Sequence, residues 1–176
     1  MNFNATHFEL FGLSPVFRIN LDSLEGAYRK LQNEVHPDRF AAAGETEKRL
    51  SMQWATRVNE AFQTLKKPLT RGAYLLHLQG IEAFSEKQTA FPPAFLMQQM
   101  EWREAIADAR AAKSVTALEK LMRDLRAEST SLEQALAGEL DEQKNYDAAA
   151  ATLRKLKFMH KLIEEIGDAQ EELDAA

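Results

Sequence analysis

Val35-His36-Pro37-Asp38-Arg39 comes directly after a run, Leu21–Val35, in which Leu21, Leu24, Ala27, Tyr28, Leu31 and Val35 recur at helical spacing. That recurrence predicts an amphipathic helix over Leu21–Val35. Asn20 or Asp22 is placed to cap its start. Pro37 then pushes His36 out of the helical region and offers no backbone donor. The helix must stop there, leaving an imidazole and a carboxylate on a stiff, exposed turn. Such fixed chemistry suits a docking tip better than a mere connector.

Composition limits what the rest can be. At 176 residues and 45% hydrophobic content, the chain can bury one good core or two small ones. A formal net charge of −5 argues against a general nucleic-acid binder while leaving room for a local basic patch. The sequence contains no cysteine, which removes disulfides, thiolate metal sites and cysteine nucleophiles together and suits a reducing cytosol. Met1-Asn2-Phe3-Asn4-Ala5-Thr6 has neither a basic start nor a long apolar run, so no secretory signal is expected. No stretch approaches the roughly 18 apolar residues of a membrane span. The expectation is a soluble, cytoplasmic protein.

Glycine (7) and proline (5) are scarce while Ala, Leu, Glu, Gln and Lys abound, which favours helix throughout. A short opening helix over His7–Phe11 should stop near Gly12. After the turn, Leu50, Trp54, Val58, Ala61, Phe62 and Leu65 mark a long third helix ended by Pro68, and a fourth follows at Leu69–Gln79 before Gly80. Residues 81–93 break the pattern and finish in Pro92-Pro93. They read as a packed, semi-rigid linker because Ile81, Phe84 and Phe91 lie within it. Three longer helices follow, near Ala94–Ala112, Ser114–Ala137 and Asn145–Leu173, with Gly138 and Asp141-Glu142 separating the last two. Three helices with short connections favour an antiparallel bundle. The organisation expected is a domain over 1–80, the linker over 81–93 and a bundle over 94–176.

Several pieces carry a resemblance. Phe8-Glu9-Leu10-Phe11-Gly12-Leu13, Ala27-Tyr28-Arg29-Lys30-Leu31, His36-Pro37-Asp38-Arg39, Val58-Asn59-Glu60-Ala61-Phe62 and Arg71-Gly72-Ala73-Tyr74 resemble, in order, the successive signatures of a J-domain. Alone, the tripeptide would read as a capping aspartate beside an idle histidine; the flanking pieces outweigh that. The second half resembles the HscB family of iron–sulfur co-chaperones through Ala94-Phe95-Leu96-Met97, Trp102-Arg103-Glu104, Asp147-Ala148-Ala149-Ala150 and Leu153-Arg154-Lys155-Leu156-Lys157-Phe158. Two positions depart from the J-domain pattern. Val35 stands where an aromatic is common, and Glu34 where a basic or neutral residue is common.

The resemblance implies an L-shaped, all-α molecule: an N-terminal J-domain plus a C-terminal three-helix bundle. It implies docking on a DnaK-type (HscA-like) chaperone and stimulation of that chaperone's ATPase. The docking residues would be His36, Pro37 and Asp38, with Arg29, Lys30 and Arg39 as a positive patch. An arginine can grip the Asp38 carboxylate bidentately, and Pro37 lowers the ordering cost of binding.

The bundle carries its own signal. At about 100° per residue, Phe95, Trp102, Ala105, Ile106 and Ala109 share one side of their helix, while Leu96, Met97 and Met100 fall roughly opposite, beside Glu101, Glu104 and Asp108. On the last helix Ala149, Leu153, Leu156, Met159 and Ile163 form a stripe, with Phe158 and Leu162 on the far side. Helices apolar on both faces must bury the second one somewhere. Periodicity leaves open whether that second face meets the first domain, another copy or a different protein. The acidic neighbours and the adaptable methionines favour a different protein presenting Lys or Arg. By resemblance that partner is the iron–sulfur scaffold protein (IscU-like), held by Leu96, Met97, Met100, Glu101, Glu104, Asp108 and Phe158.

No nucleophile–base pair, phosphate loop or metal-ligand spacing is present, and His7, His77 and His160 share no ligand pattern. The reading is therefore a non-enzymatic adaptor without cofactor or metal, binding neither nucleic acid nor membrane, a monomer or weak dimer. The competing readings are a J-domain co-chaperone for a different client and a helical protein dimerising through its Leu96/Met100/Phe158 face.

Overall fold

The computed structural model describes residues 2–40, 42–85 and 91–174. Among them lie α1 (His7–Leu10), α2 (Leu21–Val35), a 3-10 turn (Pro37–Phe40), α3 (Glu45–Lys66), α4 (Pro68–His77), α5 (Pro93–Ala111), α6 (Val115–Ala137), a π-helical turn (Gly138–Gln143) and α7 (Tyr146–Asp174). No strand occurs among the described residues, so the all-α expectation holds. The chain divides into two compact units, Met1–Gln79 and Gly80–Ala176.

In the first unit, local chemistry explains most boundaries. Thr6 and Glu9 form a reciprocal capping box that starts α1, and Gly12, at φ +65°, turns the chain where a side chain would be strained. The Asn20 side chain accepts from the Ser23 N–H at 2.9 Å, so α2 begins at Leu21 as its periodicity requires. His36 sits at φ −59°, ψ 127°, the extended conformation its following proline imposes. Pro68 both follows the end of α3 and opens α4, where its missing N–H is no loss.

Helix α3 is the spine. Its Trp54, Val58, Ala61, Phe62 and Leu65 are buried, as are Phe8 of α1, Leu24 of α2 and Leu75 and Leu76 of α4, the three helices that pack on it. Its buried stripe starts at Ser51; Leu50, expected to begin it, faces solvent. Helices α2 and α3 run antiparallel, since the Val35 carbonyl meets Ser51 while Tyr28 meets Asn59 and Glu25 meets Lys66. Arg71 closes the C-terminal end of α3: its guanidinium lies over the Phe17 ring and donates to the Leu65 carbonyl at 2.7 Å.

The second unit differs from expectation at two points. Gly138 does not separate the last two helices. It keeps helical φ and ψ, and the chain winds on through the π-helical turn, burying Leu140, until Lys144 breaks it at φ +53°. Asn145 then caps α7 by accepting from the Ala148 N–H. The expected linker at 81–93 falls inside this unit. Residues 86–90 of it lie outside the described residues, while Ala83 is buried and its carbonyl accepts from Arg154.

Helices α5 and α7 run parallel: Phe95 meets Phe158 near one end and Arg110 grips Glu172 near the other. The first part of α7 therefore faces α6 and the π-helical turn, and α5 joins from Lys155, whose ammonium lies over the Phe95 ring, onward. Its buried face rotates accordingly, by roughly 120°, from Ala149, Leu153 and Leu156 to Met159, Leu162, Ile166 and Ala169. Leu162, expected on the outward face, is consequently fully buried.

Two candidate binding surfaces

The first surface is the turn after α2. The His36 and Asp38 side chains are 51% and 92% exposed. The Asp38 N–H points at the His36 Nδ1 at 3.3 Å, and its carboxylate lies 3.6 Å from the same nitrogen. The imidazole and carboxylate thus share one small exposed corner. Beneath them, the buried Ser51 hydroxyl donates to the Val35 carbonyl at 2.7 Å, satisfying one of the carbonyls that a helix end leaves without partners.

Val35 itself is buried, so its departure from the J-domain pattern is a packing choice beneath the turn and presents nothing to a partner. Glu34 is exposed. Of the expected basic patch, Arg29 is ion-paired with Glu25 at 3.2 Å, and Arg39 donates to the Asn33 carbonyl at the end of α2. Lys30 is exposed. Ser51 was missed in the sequence, although its place three residues before Trp54 and seven before Val58 puts it on the buried stripe.

The second surface lies on α5. Met100 and Met97 are 72% and 64% exposed, and Leu96 is 44% exposed. Phe95, Ile106 and Ala109 on the opposite side enter the core. Counting from Phe95, residues 96, 100, 104, 97, 108 and 101 fan out from about 100° to about 240°, so the apolar and acidic side chains share one solvent face, apolar at its Leu96 edge and acidic at its Glu101 edge.

Phe158 is not an equal member of that face. Partly buried, it packs edge-on against Phe95 at 5.9 Å and carries the Arg103 guanidinium over its ring at 5.4 Å. It adjoins the Leu96 side of α5 and stands away from Met97, Glu101 and Asp108. A cleft of about 250 Å³ beside it is bounded by Phe84, Phe91, Arg154, Lys157 and Lys161. The acids consequently edge one side of the patch only; the Phe158 side is basic.

No group of three or more His, Cys, Asp or Glu side chains among the described residues could hold a metal ion. His7 stacks on Tyr74 at 4.2 Å. Burial first, then the nearby Arg57 charge, hold its pKa below the usual histidine value, while Glu60 acts in the opposite direction. That is the environment of a packed histidine.

A family model for the HscB C-terminal oligomerisation domain matches residues 91–167. The co-chaperone protein HscB homolog of Paraburkholderia xenovorans is 52% identical over 171 residues, which is 97% of each chain. The chain belongs to the HscB family. Chaperone HscB from Vibrio cholerae is 39% identical and superposes with a TM-score of 0.85 over 96% of this chain and 99% of that one. Human co-chaperone HscB, at 30% identity, gives a TM-score of 0.89 over 95% and 83%. The HscB resemblance read from scattered motifs thus extends over nearly the whole chain and its fold. HscB relatives are named co-chaperones, and this chain is a J-domain co-chaperone of their family. Among the described residues no helix is long and apolar enough to cross a membrane.

Proposed function

We infer that the protein is a two-handed adaptor for iron–sulfur cluster assembly. One hand, the corner formed by His36, Pro37 and Asp38 with Arg29, Lys30 and Arg39 behind it, docks on an HscA-like DnaK-type chaperone and stimulates its ATPase. The other, the α5 face of Leu96, Met97, Met100, Glu101, Glu104 and Asp108 with Phe158 at its flank, holds an IscU-like scaffold protein. Bringing both together couples ATP hydrolysis to capture of the scaffold. The adaptor performs no chemistry itself, takes no cofactor and works in the cytoplasm.

The observation that carries this reading is the exposed imidazole–carboxylate corner, held from below by Ser51 and fixed in φ by Pro37. A preset turn presents Asp38 to an arginine with little left to order, which favours tight and orientation-selective docking. The deciding experiment is an ATPase assay of the HscA-like chaperone, with and without purified scaffold. The chain should stimulate hydrolysis, the scaffold should raise the stimulation, and His36→Gln should abolish it while scaffold affinity stays unchanged. Loss of scaffold affinity in that variant would refute the division into two hands.

A second reading has an observation of its own. The family description covering residues 91–167 speaks of oligomerisation, and Leu96, Met97 and Met100 could seat a second copy. Sedimentation separates the two: a stable dimer across concentration favours self-association, and a monomer or weak dimer favours the scaffold.

A further inference from the structure

The chain has no cysteine, so reversible two-electron oxidation of its side chains is confined to its six methionines. Those among the described residues are not equivalent. Met159 is fully buried, and Met122 packs partly buried against the core of the second unit. Met52 is exposed, but on α3 of the first unit. Met97 and Met100 are the two most exposed large apolar side chains described, and they stand within one turn of each other on the α5 face. Susceptibility follows access, so an oxidant reaches this pair before the core methionines.

We propose that Met97 and Met100 form an oxidation-sensitive modification site on the client-holding face, through which hydrogen peroxide releases the scaffold and methionine sulfoxide reductases restore it. The inference rests on the α5 face being the scaffold site. In each event the thioether sulfur attacks one peroxide oxygen and the O–O bond breaks. Oxygen stays on sulfur, the departing hydroxide takes the remaining proton as water, and the two electrons lost by sulfur reduce the peroxide. Hydrogen peroxide is uncharged, so Glu101, Glu104 and Asp108 do not repel it.

The consequence follows from what the face offers. Its apolar contact comes from Leu96, Met97 and Met100, and two of these three become polar sulfoxides. A sulfoxide oxygen desolvated against a partner's apolar surface without a donor is unfavourable, and the adaptability of the thioether is lost with it. Core packing is untouched, since both side chains point to solvent; modification acts on binding and leaves the fold.

The test treats the full chain with hydrogen peroxide, removes the oxidant, maps sulfoxides by peptide mass, and titrates purified IscU-like scaffold. Met97 and Met100 should oxidise ahead of Met122 and Met159, and affinity should fall by roughly tenfold or more, as loss of central interface contacts does. Treatment with both sulfoxide reductases and a dithiol, which is oxidised to a disulfide as the sulfoxide oxygen leaves as water, should restore it. A Met97→Leu/Met100→Leu variant, whatever its starting affinity, should be indifferent to peroxide, while Met52→Leu should lose affinity as the parent does. Unchanged affinity with both sulfoxides present, or an equal loss in the double leucine variant, would overturn the inference alone. An untreated chain that does not bind the scaffold would overturn the adaptor reading itself and this inference with it.

Discussion

Replacing Ser51 with alanine removes one hydroxyl beneath the docking corner, and its effect can be worked out before it is measured. The Ser51 hydroxyl is buried and donates at 2.7 Å to the Val35 carbonyl, which sits where α2 has run out of backbone donors. An intramolecular hydrogen bond contributes about 1 kcal/mol net, but removing only its donor leaves a buried acceptor without a partner, at a cost of about 1–3 kcal/mol. A loss of about 2 kcal/mol is therefore expected. For a unit of this size, that lowers the melting temperature by about 10 °C. Trp54 lies in the core of the first unit, so its fluorescence, followed in a Trp102→Phe background, reports that transition separately. The change should reach function too. A turn no longer tied to α3 must be ordered on docking, so the variant should need more chaperone-binding protein for half-maximal ATPase stimulation while reaching a similar maximum. A Ser51→Ala protein as stable as its parent would refute the claim that this bond holds the turn.

His36→Gln and Asp38→Asn should each abolish ATPase stimulation yet shift the stability of the first unit by less than about 0.5 kcal/mol, because both side chains are exposed; calorimetry checks the second half of that statement. Leu96→Ala with Met100→Ala should weaken scaffold binding in a titration without lowering the melting temperature. Phe158→Ala should also destabilise the second unit by about 1–3 kcal/mol, since its ring packs on Phe95. The lowered His7 pKa makes the first unit sensitive to acid: with the folded value below the unfolded 6.5, the unfolded chain takes up the proton first. That contribution to stability is complete above pH 6.5 and declines as pH falls toward the folded value, so a denaturation series should show a slope there that His7→Phe removes. Arg110→Ala should cost about 0.5–1 kcal/mol at low salt and less at high salt, because the paired guanidinium and Glu172 carboxylate are both solvent-accessible.

What could be read directly from the chain was local in cause. The start of α2 at Leu21 and its end at Val35 follow from an asparagine cap and from pre-proline sterics, both acting over one or two residues. The two faces of α5 were equally legible, because one helix buried along one side obeys a single period from end to end. Tertiary contacts decided the rest. Only the meeting of α2 with α3 brings the Ser51 hydroxyl under the Val35 carbonyl and so ties down the turn that carries the exposed His36 and Asp38. Likewise α7 changes neighbours midway, so its buried face turns from Leu153 toward Ile166, swallowing Leu162 and drawing Phe158 against Phe95 and Arg103. A fixed period cannot anticipate that, because the partner that arrives is encoded dozens of residues away; periodicity records which side of a helix is apolar, and packing decides which part of that side water still reaches.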